Sequence, residues 1–327
     1  MKSIAPTTPV GVRDYSPEAA DAFYALQETL VGTFTRAGYR RVMTPAFELA
    51  SVFERGLGPS EAERLMRFVD PQNGEMLCLR SDMTPQIARL VAGSLRDAPL
   101  PLRLSYFGRV FRLRQHSEFR SREVAQAGVE LIGMGGADAD VEVLTLCDEA
   151  LHAASPGPHT LSIGHVGFIS AALDALPASE HGPITALLRR KDSATISQRL
   201  ASLDLPAAQS ELVQALPTLY GSADVVLPKA QALSTRLPAL QAPLQRLTDV
   251  IGALTDAGTR SAILVDLGEV LGFGYYSGIV FHAYTHSVGQ SVASGGRYDG
   301  LLARYGRDLP AAGFAIDEEG LTRHQAK

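Results

Sequence analysis

The sequence predicts an α+β protein, and three observations predict it. Apolar residues recur at helical spacing near the start of the chain and again after residue 84. Residues 102–114 and 123–132 read as extended, and strand-like, glycine-rich sequence returns after residue 259. Between these parts, residues 176–258 are rich in leucine and alanine, with Tyr220 as their only aromatic. The expected organisation is a discontinuous core of residues 1–175 and 259–327, interrupted by a helical insertion over 176–258.

Each element follows from local chemistry. Ser16-Pro17 predicts a helix start, with serine as N-cap and proline in the first turn. Phe23, Leu26, Leu30, Phe34 and Ala37 then form one apolar face, and Gly38 ends it. YRRVMTP predicts a strand stopped by Pro45, and residues 76–80 predict another. A second helix is expected from Thr84 as cap and Pro85 at N1, with Ile87, Leu90, Val91 and Leu95 inward; Asp82 and Thr84 then sit at a strand-to-helix junction. In 123–132, Val124, Gln126, Gly128, Glu130 and Ile132 share one strand face. Gly128 leaves an open space between Gln126 and Glu130. An even-register hairpin would set Arg112 beside Gln126. Prolines 177, 183, 206, 217, 228, 238 and 243 divide the insertion into short helices.

The bulk numbers narrow the function. The chain has 327 residues, 46% of them apolar, with formal net charge −5. That balance argues against a broadly basic nucleic-acid surface. No apolar run approaches the roughly 20 residues of a membrane span, and no signal peptide is expected. Cys78 and Cys147 lack the spacing of a zinc site or disulfide framework, so a reduced, cytoplasmic protein is expected. Five arginines nevertheless crowd residues 109–122: Arg109, Arg112, Arg114, Arg120 and Arg122.

Five ordered pieces carry a resemblance. PVGVRDYSPEAADAF, LRSDMTPQIAR, VFRLR with its downstream QAGVELIG, GYYSGIVFHAY, and SGGRYDGLLARYG followed by PAAGFAI resemble the catalytic core of histidyl-tRNA synthetase, over about residues 9 to 320. The resemblance implies a class II aminoacyl-tRNA synthetase-like antiparallel sheet flanked by helices, usually dimeric through the N-terminal region, with a helical insertion between the second and third motifs.

The departures are at the nucleotide. Arg112 is kept, but Arg114 stands where the family has a glutamate that contacts the adenylate end of ATP. Leu271 replaces the family's catalytic arginine and Gly274 its aspartate. Gly320 replaces the arginine that grips the γ-phosphate, and Asp317, Glu318 and Glu319 precede it; carboxylates there repel a triphosphate. No anticodon-binding domain is expected before the end at Lys327. This pattern resembles the regulatory subunits of ATP phosphoribosyltransferase, synthetase-like proteins without synthetase activity. The resemblance implies a short catalytic phosphoribosyltransferase subunit as partner, a homodimer within a hetero-octamer, histidine as effector in the first step of histidine biosynthesis, and neither cofactor nor metal.

The resemblance also implies a histidine pocket. Asp82 and Thr84 would accept from the ammonium, assisted by Gln126. Glu130 stands at the imidazole-recognising position, Tyr275 would meet the other ring nitrogen, and Tyr276 would wall the site. Arg112 would pair with the carboxylate, since arginine does so bidentately. On this reading the arginine cluster is the relic of a phosphate site. Plainer readings stand beside it: Arg109, Arg114, Arg120 and Arg122 as surface charge or salt bridges, Gln126 and Glu130 as satisfied structural groups, Tyr275-Tyr276 as packing, and SGGRYDGL as a tight turn. An ATP-dependent enzyme that forms an aminoacyl-adenylate for a non-tRNA acceptor is the alternative, and it would need another cation at the phosphorus.

Overall fold

The computed structural model describes residues 8–113, 121–270, 274–286 and 290–325. Its strands are β1 (Arg40–Arg41), β2 (Phe47–Leu49), β3 (Arg67–Val69), β4 (Met76–Leu79), β5 (Leu102–Phe111), β6 (Glu123–Ile132), β7 (His159–His165), β8 (Tyr220–Ser222), β9 (Ala262–Asp266), β10 (Ile279–Thr285), β11 (Ser291–Arg297) and β12 (Ala311–Asp317). Nine of them form one sheet in the order β1-β5-β6-β12-β11-β10-β7-β9-β8, and β2-β4-β3 form a second. From β5 to β7 the large sheet is antiparallel; β1 joins β5, and β9 joins β7, in parallel.

The helix over Pro17–Arg36 begins as its residues dictate: Ser16 Oγ accepts from Ala19 N at 3.3 Å, and Gly38 takes φ +83 just past the end. A serine cap of this kind contributes about 1 kcal/mol. Its buried face is Phe23, Leu26, Leu30, Thr33 and Phe34; Ala37 is exposed at the C-cap and is not part of it. This helix packs on the long helix Gly136–Ala154, across one face of the sheet. Phe34, Leu144 and Leu151 there meet Ala127, Val129 and Leu131 of β6 with Phe281 and Phe314. Each large apolar side chain so buried is worth roughly 1.5–3 kcal/mol.

Residues 178–256 include the helices Ala178–Arg189, Ser193–Leu200, Ala207–Ala215, Ala223–Ser234 and Gln241–Asp256, and they supply the edge strand β8 as well. Pro177 and Pro206 precede helices, whereas Pro183 and Pro228 lie inside them. The predicted strand at YRRVMTP shrinks to the two residues of β1; Val42 N still donates to Ser105 O of β5 at 2.8 Å, and Pro45, with no N–H, cannot extend the ladder.

The opposite face of the sheet carries a separate apolar cluster that includes Met83, Ile87, Tyr106, Tyr275 and Tyr298. The helix Thr84–Ala92 covers this face. Ile87 and Val91 are buried, while Leu90 and Leu95 are half-exposed.

Candidate functional site

The site lies where β4 delivers the chain to the helix Thr84–Ala92, above the hairpin β5–β6. Arg80 anchors that junction: its Nε donates to Arg109 O at 2.6 Å and its Nη1 to Thr44 O at 2.9 Å. Asp82 follows, 6% exposed, its Oδ1 accepting from Met83 N at 2.7 Å and its Oδ2 from Tyr275 Oη at 3.0 Å. Thr84 is not the helix cap. Met83 occupies that position, and Thr84 Oγ1 donates across the cleft to Glu130 Oε1 at 2.7 Å. Using the hydroxyl there satisfies a buried carboxylate, a larger demand than capping one helix.

Glu130 is 1% exposed and accepts from a second hydroxyl, that of Tyr298, at its other oxygen. Both donors come from distant parts of the chain. Among the described residues neither Asp82 nor Glu130 is in an ion pair; hydroxyl and backbone donors are their hydrogen-bond partners. Burial therefore dominates their acidity. It raises Glu130 to about 8 against the lowering effect of Tyr298 and Thr84, and Asp82 adds to the rise. Burial also raises Asp82, opposed by the Tyr275 hydroxyl and by the positive charge of Arg112. Two buried carboxylates thus lie in one polar cluster, with hydroxyl and backbone donors as partners. Gln126, on the same strand face, is buried, and its Oε1 has no hydrogen-bond partner among the described residues.

The hairpin register corrects two expectations. Gln126 pairs with Gly108, not Arg112; the Arg112 backbone N–H donates to Arg122 O at 2.8 Å, nearer the turn. Arg112 still reaches the site electrostatically, through its effect on Asp82. The space over Gly128 is not open. Tyr106 lies directly opposite in the register, and a Cβ on Gly128 would meet its ring at 2.3 Å. Gly313 serves Glu130 in the same way: the two are paired across β12 and β6, and a Cβ on Gly313 would meet Glu130 Oε2 at 1.9 Å. Glycine at these positions is what lets aromatic and carboxylate groups lie on the sheet surface.

Asp82, Thr84, Glu130 and Tyr275 are therefore brought together, with Tyr276 beside Tyr275 at 4.9 Å between ring centroids, while Gln126 is buried on the same strand face as Glu130. Sequence reasoning missed Tyr106 and Tyr298. The Tyr298 ring meets Tyr275 edge-on at 5.7 Å, so SGGRYDGL supplies a pocket wall rather than only a turn. The signal for Tyr106 was its even position in 102–114, the same parity as Gly108 and, across the hairpin, Gly128.

The arginines divide. Arg114, Arg120 and Leu271 lie outside the described residues. Arg109 is held by carboxylates of the chain itself: its Nε is 3.5 Å from Glu123 and its Nη1 is 3.9 Å from Glu319. Glu319 also accepts from Tyr15 at 2.7 Å and lies 3.3 Å from Arg13. Glu318, fully buried, accepts from Gln27 at 2.9 Å, and burial raises it to about 7. Gly320 N donates to Asp317 Oδ1 at 3.0 Å. The acidic run therefore engages the chain's own donors.

An antiparallel sheet with this order, helices on both faces and a buried polar cluster above the β5–β6 hairpin defines a class II aminoacyl-tRNA synthetase-like protein. The family model for histidyl-tRNA synthetase matches residues 11–321. The ATP phosphoribosyltransferase regulatory subunit of Anaeromyxobacter sp. (strain K) is 42% identical over 317 residues, 96% of this chain and 90% of that one. The subunit of that name from Syntrophotalea carbinolica is 38% identical over 311 residues, 94% of this chain and 72% of the other. A solved structure titled an ATP phosphoribosyltransferase regulatory subunit/histidyl-tRNA synthetase, from Bacillus halodurans C, matches with TM-score 0.88 at 31% identity, covering 99% of this chain and 84% of that one. The chain belongs to the family of ATP phosphoribosyltransferase regulatory subunits, within the histidyl-tRNA synthetase-like group.

Proposed function

We propose that this chain is the non-catalytic partner of a short-form ATP phosphoribosyltransferase catalytic subunit, and that it carries histidine feedback to it in the first step of histidine biosynthesis. The observation that carries the reading is the pair of buried carboxylates, Asp82 and Glu130, without an ion-pair partner among the described residues. A buried carboxylate kept without a cation costs several kcal/mol. A ligand bearing one cationic and one N–H-donating end removes that cost. Free histidine has both. Its ammonium would lie at Asp82 and Gln126, whose Oε1 has no partner among the described residues. Its imidazole would lie at Glu130, within the tyrosine wall. Gln126 and Glu130 are four residues apart on one strand, about 13 Å between Cα positions, which suits an amino acid held at both ends. Arg112 is the candidate partner for the carboxylate.

The nucleotide side supports a regulatory rather than an adenylating role. Gly320 offers no cation for a phosphate, and Arg109 is already occupied by Glu123 and Glu319. A small apolar surface supports self-association: Phe47, Leu49 and Phe68 fall on one face of the β2-β4-β3 sheet, with Phe47 53% exposed and in edge contact with Phe68. Apolar groups gathered in this way mark interaction surfaces. The reading is a homodimer within a hetero-octamer, in the cytoplasm. Mixing the chain with the short catalytic subunit and following phosphoribosyl transfer with and without histidine tests it. Activity that depends on this chain and falls with histidine is expected. Equal inhibition of the catalytic subunit alone contradicts it, and histidine-dependent pyrophosphate exchange with ATP would make the chain an adenylating enzyme instead.

A further inference from the structure

The segments that carry Tyr275 and Tyr298 meet at one residue, Arg297. Arg297 precedes Tyr298, the residue that donates to Glu130. Its carbonyl accepts from Ser277 N at 2.8 Å, two residues beyond Tyr275, and Ser277 Oγ in turn accepts from Asp299 N at 2.8 Å. The stretches bearing Tyr275 and Tyr298 are thus laced together at Arg297. The side chain of Arg297 is buried, and Asp140 fixes it: Arg297 Nε donates to Asp140 Oδ1 at 2.7 Å, while Nη1 donates to Asp299 at 2.9 Å and Nη2 to Gly136 O at 3.2 Å. Asp140 is 3% exposed and lies on the helix Gly136–Ala154, across the sheet from the cavity helix. Its other oxygen accepts from Arg246 Nη1 at 3.3 Å. Arg246 belongs to the helix Gln241–Asp256, within the helical stretch that the sequence sets apart from the core.

We propose that Asp140 is a positioning residue of the pocket, and that Arg246 gives the helical stretch its hold on that residue, so that the stretch and pocket occupancy are energetically coupled. The chain of contacts runs Arg246, Asp140, Arg297, then Tyr298 to Glu130 on one branch and Ser277 to the Tyr275 segment on the other. Every link is a hydrogen bond or a covalent neighbour. Asp140 links the two arginines, with one oxygen on each, and the fork follows at Arg297. Removing Arg246 leaves Asp140 paired with Arg297, so the fold survives while the hold is lost. This deepens the proposed histidine pocket and rests on it for its ligand, though not for its geometry.

The test uses the full chain with four substitutions: Arg246→Met, Arg246→Lys, Asp140→Asn, and Arg199→Met as a control that breaks the exposed pair with Glu180 in the same helical stretch. Histidine titration and amide hydrogen exchange of the 275–279 and 297–299 segments are read for each. Arg246→Met is expected to weaken histidine about fivefold and to speed exchange in both segments, at the lower end of allosteric couplings. Asp140→Asn is expected to do so more strongly, Arg246→Lys to recover most of the loss, and Arg199→Met to change neither. An Arg246→Met chain that matches the wild type in both readouts overturns the proposal, as does an equal effect of Arg199→Met. If the wild-type chain gives no histidine signal while the exchange pattern holds, the ligand assignment fails and the positioning role stands.

Discussion

Glu130 is nearly sealed from solvent, accepts from Thr84 and Tyr298, and has its acidity shifted by burial to about 8. The raised value means that the folded, ligand-free chain holds this proton more tightly than the unfolded one. Its stabilising contribution is therefore complete below the unfolded carboxylate range, near pH 4.5, and is lost as pH rises through about 8. Glu130→Gln removes the ionisation. Thermal unfolding of the ligand-free variant is expected to gain on the wild type by an amount on the order of a few kcal/mol at pH 8.5, with the gap closing by pH 5. A gap that does not change with pH contradicts the assignment of a buried, cation-free carboxylate. The same variant is expected to lose histidine binding, because a neutral amide no longer draws an N–H donor as a carboxylate does. Gly313→Ala makes the steric case. Its Cβ would fall 1.9 Å from Glu130 Oε2, so the carboxylate must move. A stability loss of about 1–3 kcal/mol and a marked loss of histidine affinity in calorimetry are expected together.

Among the elements, those made by local chemistry were legible from sequence and those made by distant partners were not. Ser16-Pro17 announced its helix because cap and first turn are neighbours in the chain. The two strands of the β5–β6 hairpin were also visible, but not their register. Alternation fixes which residues share a face and leaves the pairing free by steps of two, and the true register moved Arg112 away from Gln126 and put Tyr106 over Gly128. Thr84 looked like a cap from its flanking residues, yet its hydroxyl is taken by a carboxylate 46 positions later. Tyr298 was hidden for the same reason, lying 168 positions from the group it serves. The resemblance supplied what periodicity could not: that Asp82 and Tyr275, 193 positions apart, are neighbours. At this scale the small β2-β4-β3 sheet carries its own prediction. Joint substitution of Phe47→Glu and Phe68→Glu puts two charges on its apolar face, and sedimentation is expected to change from dimer to monomer with the fold intact. An unchanged sedimentation coefficient would remove that sheet from the interface.

The whole molecule combines a buried cluster of carboxylates and hydroxyls, the proposed histidine site, with an acidic run that engages the chain's own donors. Arg109 is engaged by Glu123 and Glu319, so restoring one cation does not restore a triphosphate site. Gly320→Arg is therefore expected to leave pyrophosphate exchange at background; exchange that appears with this single change would show the rest of the machinery to be intact. Feedback requires that histidine prefer one state of the complex over another. On the proposed reading the means lies in the hydrogen bonds of Tyr275 to Asp82 and of Tyr298 to Glu130, which a ligand at these carboxylates would alter. Calorimetric titration of the purified chain, with histidine and separately with magnesium-ATP, decides between a sensor and an adenylating enzyme. One saturable histidine site per chain that disappears in Glu130→Gln is expected, with no heat from the nucleotide. Saturable binding of magnesium-ATP together with silence toward histidine would contradict the sensor.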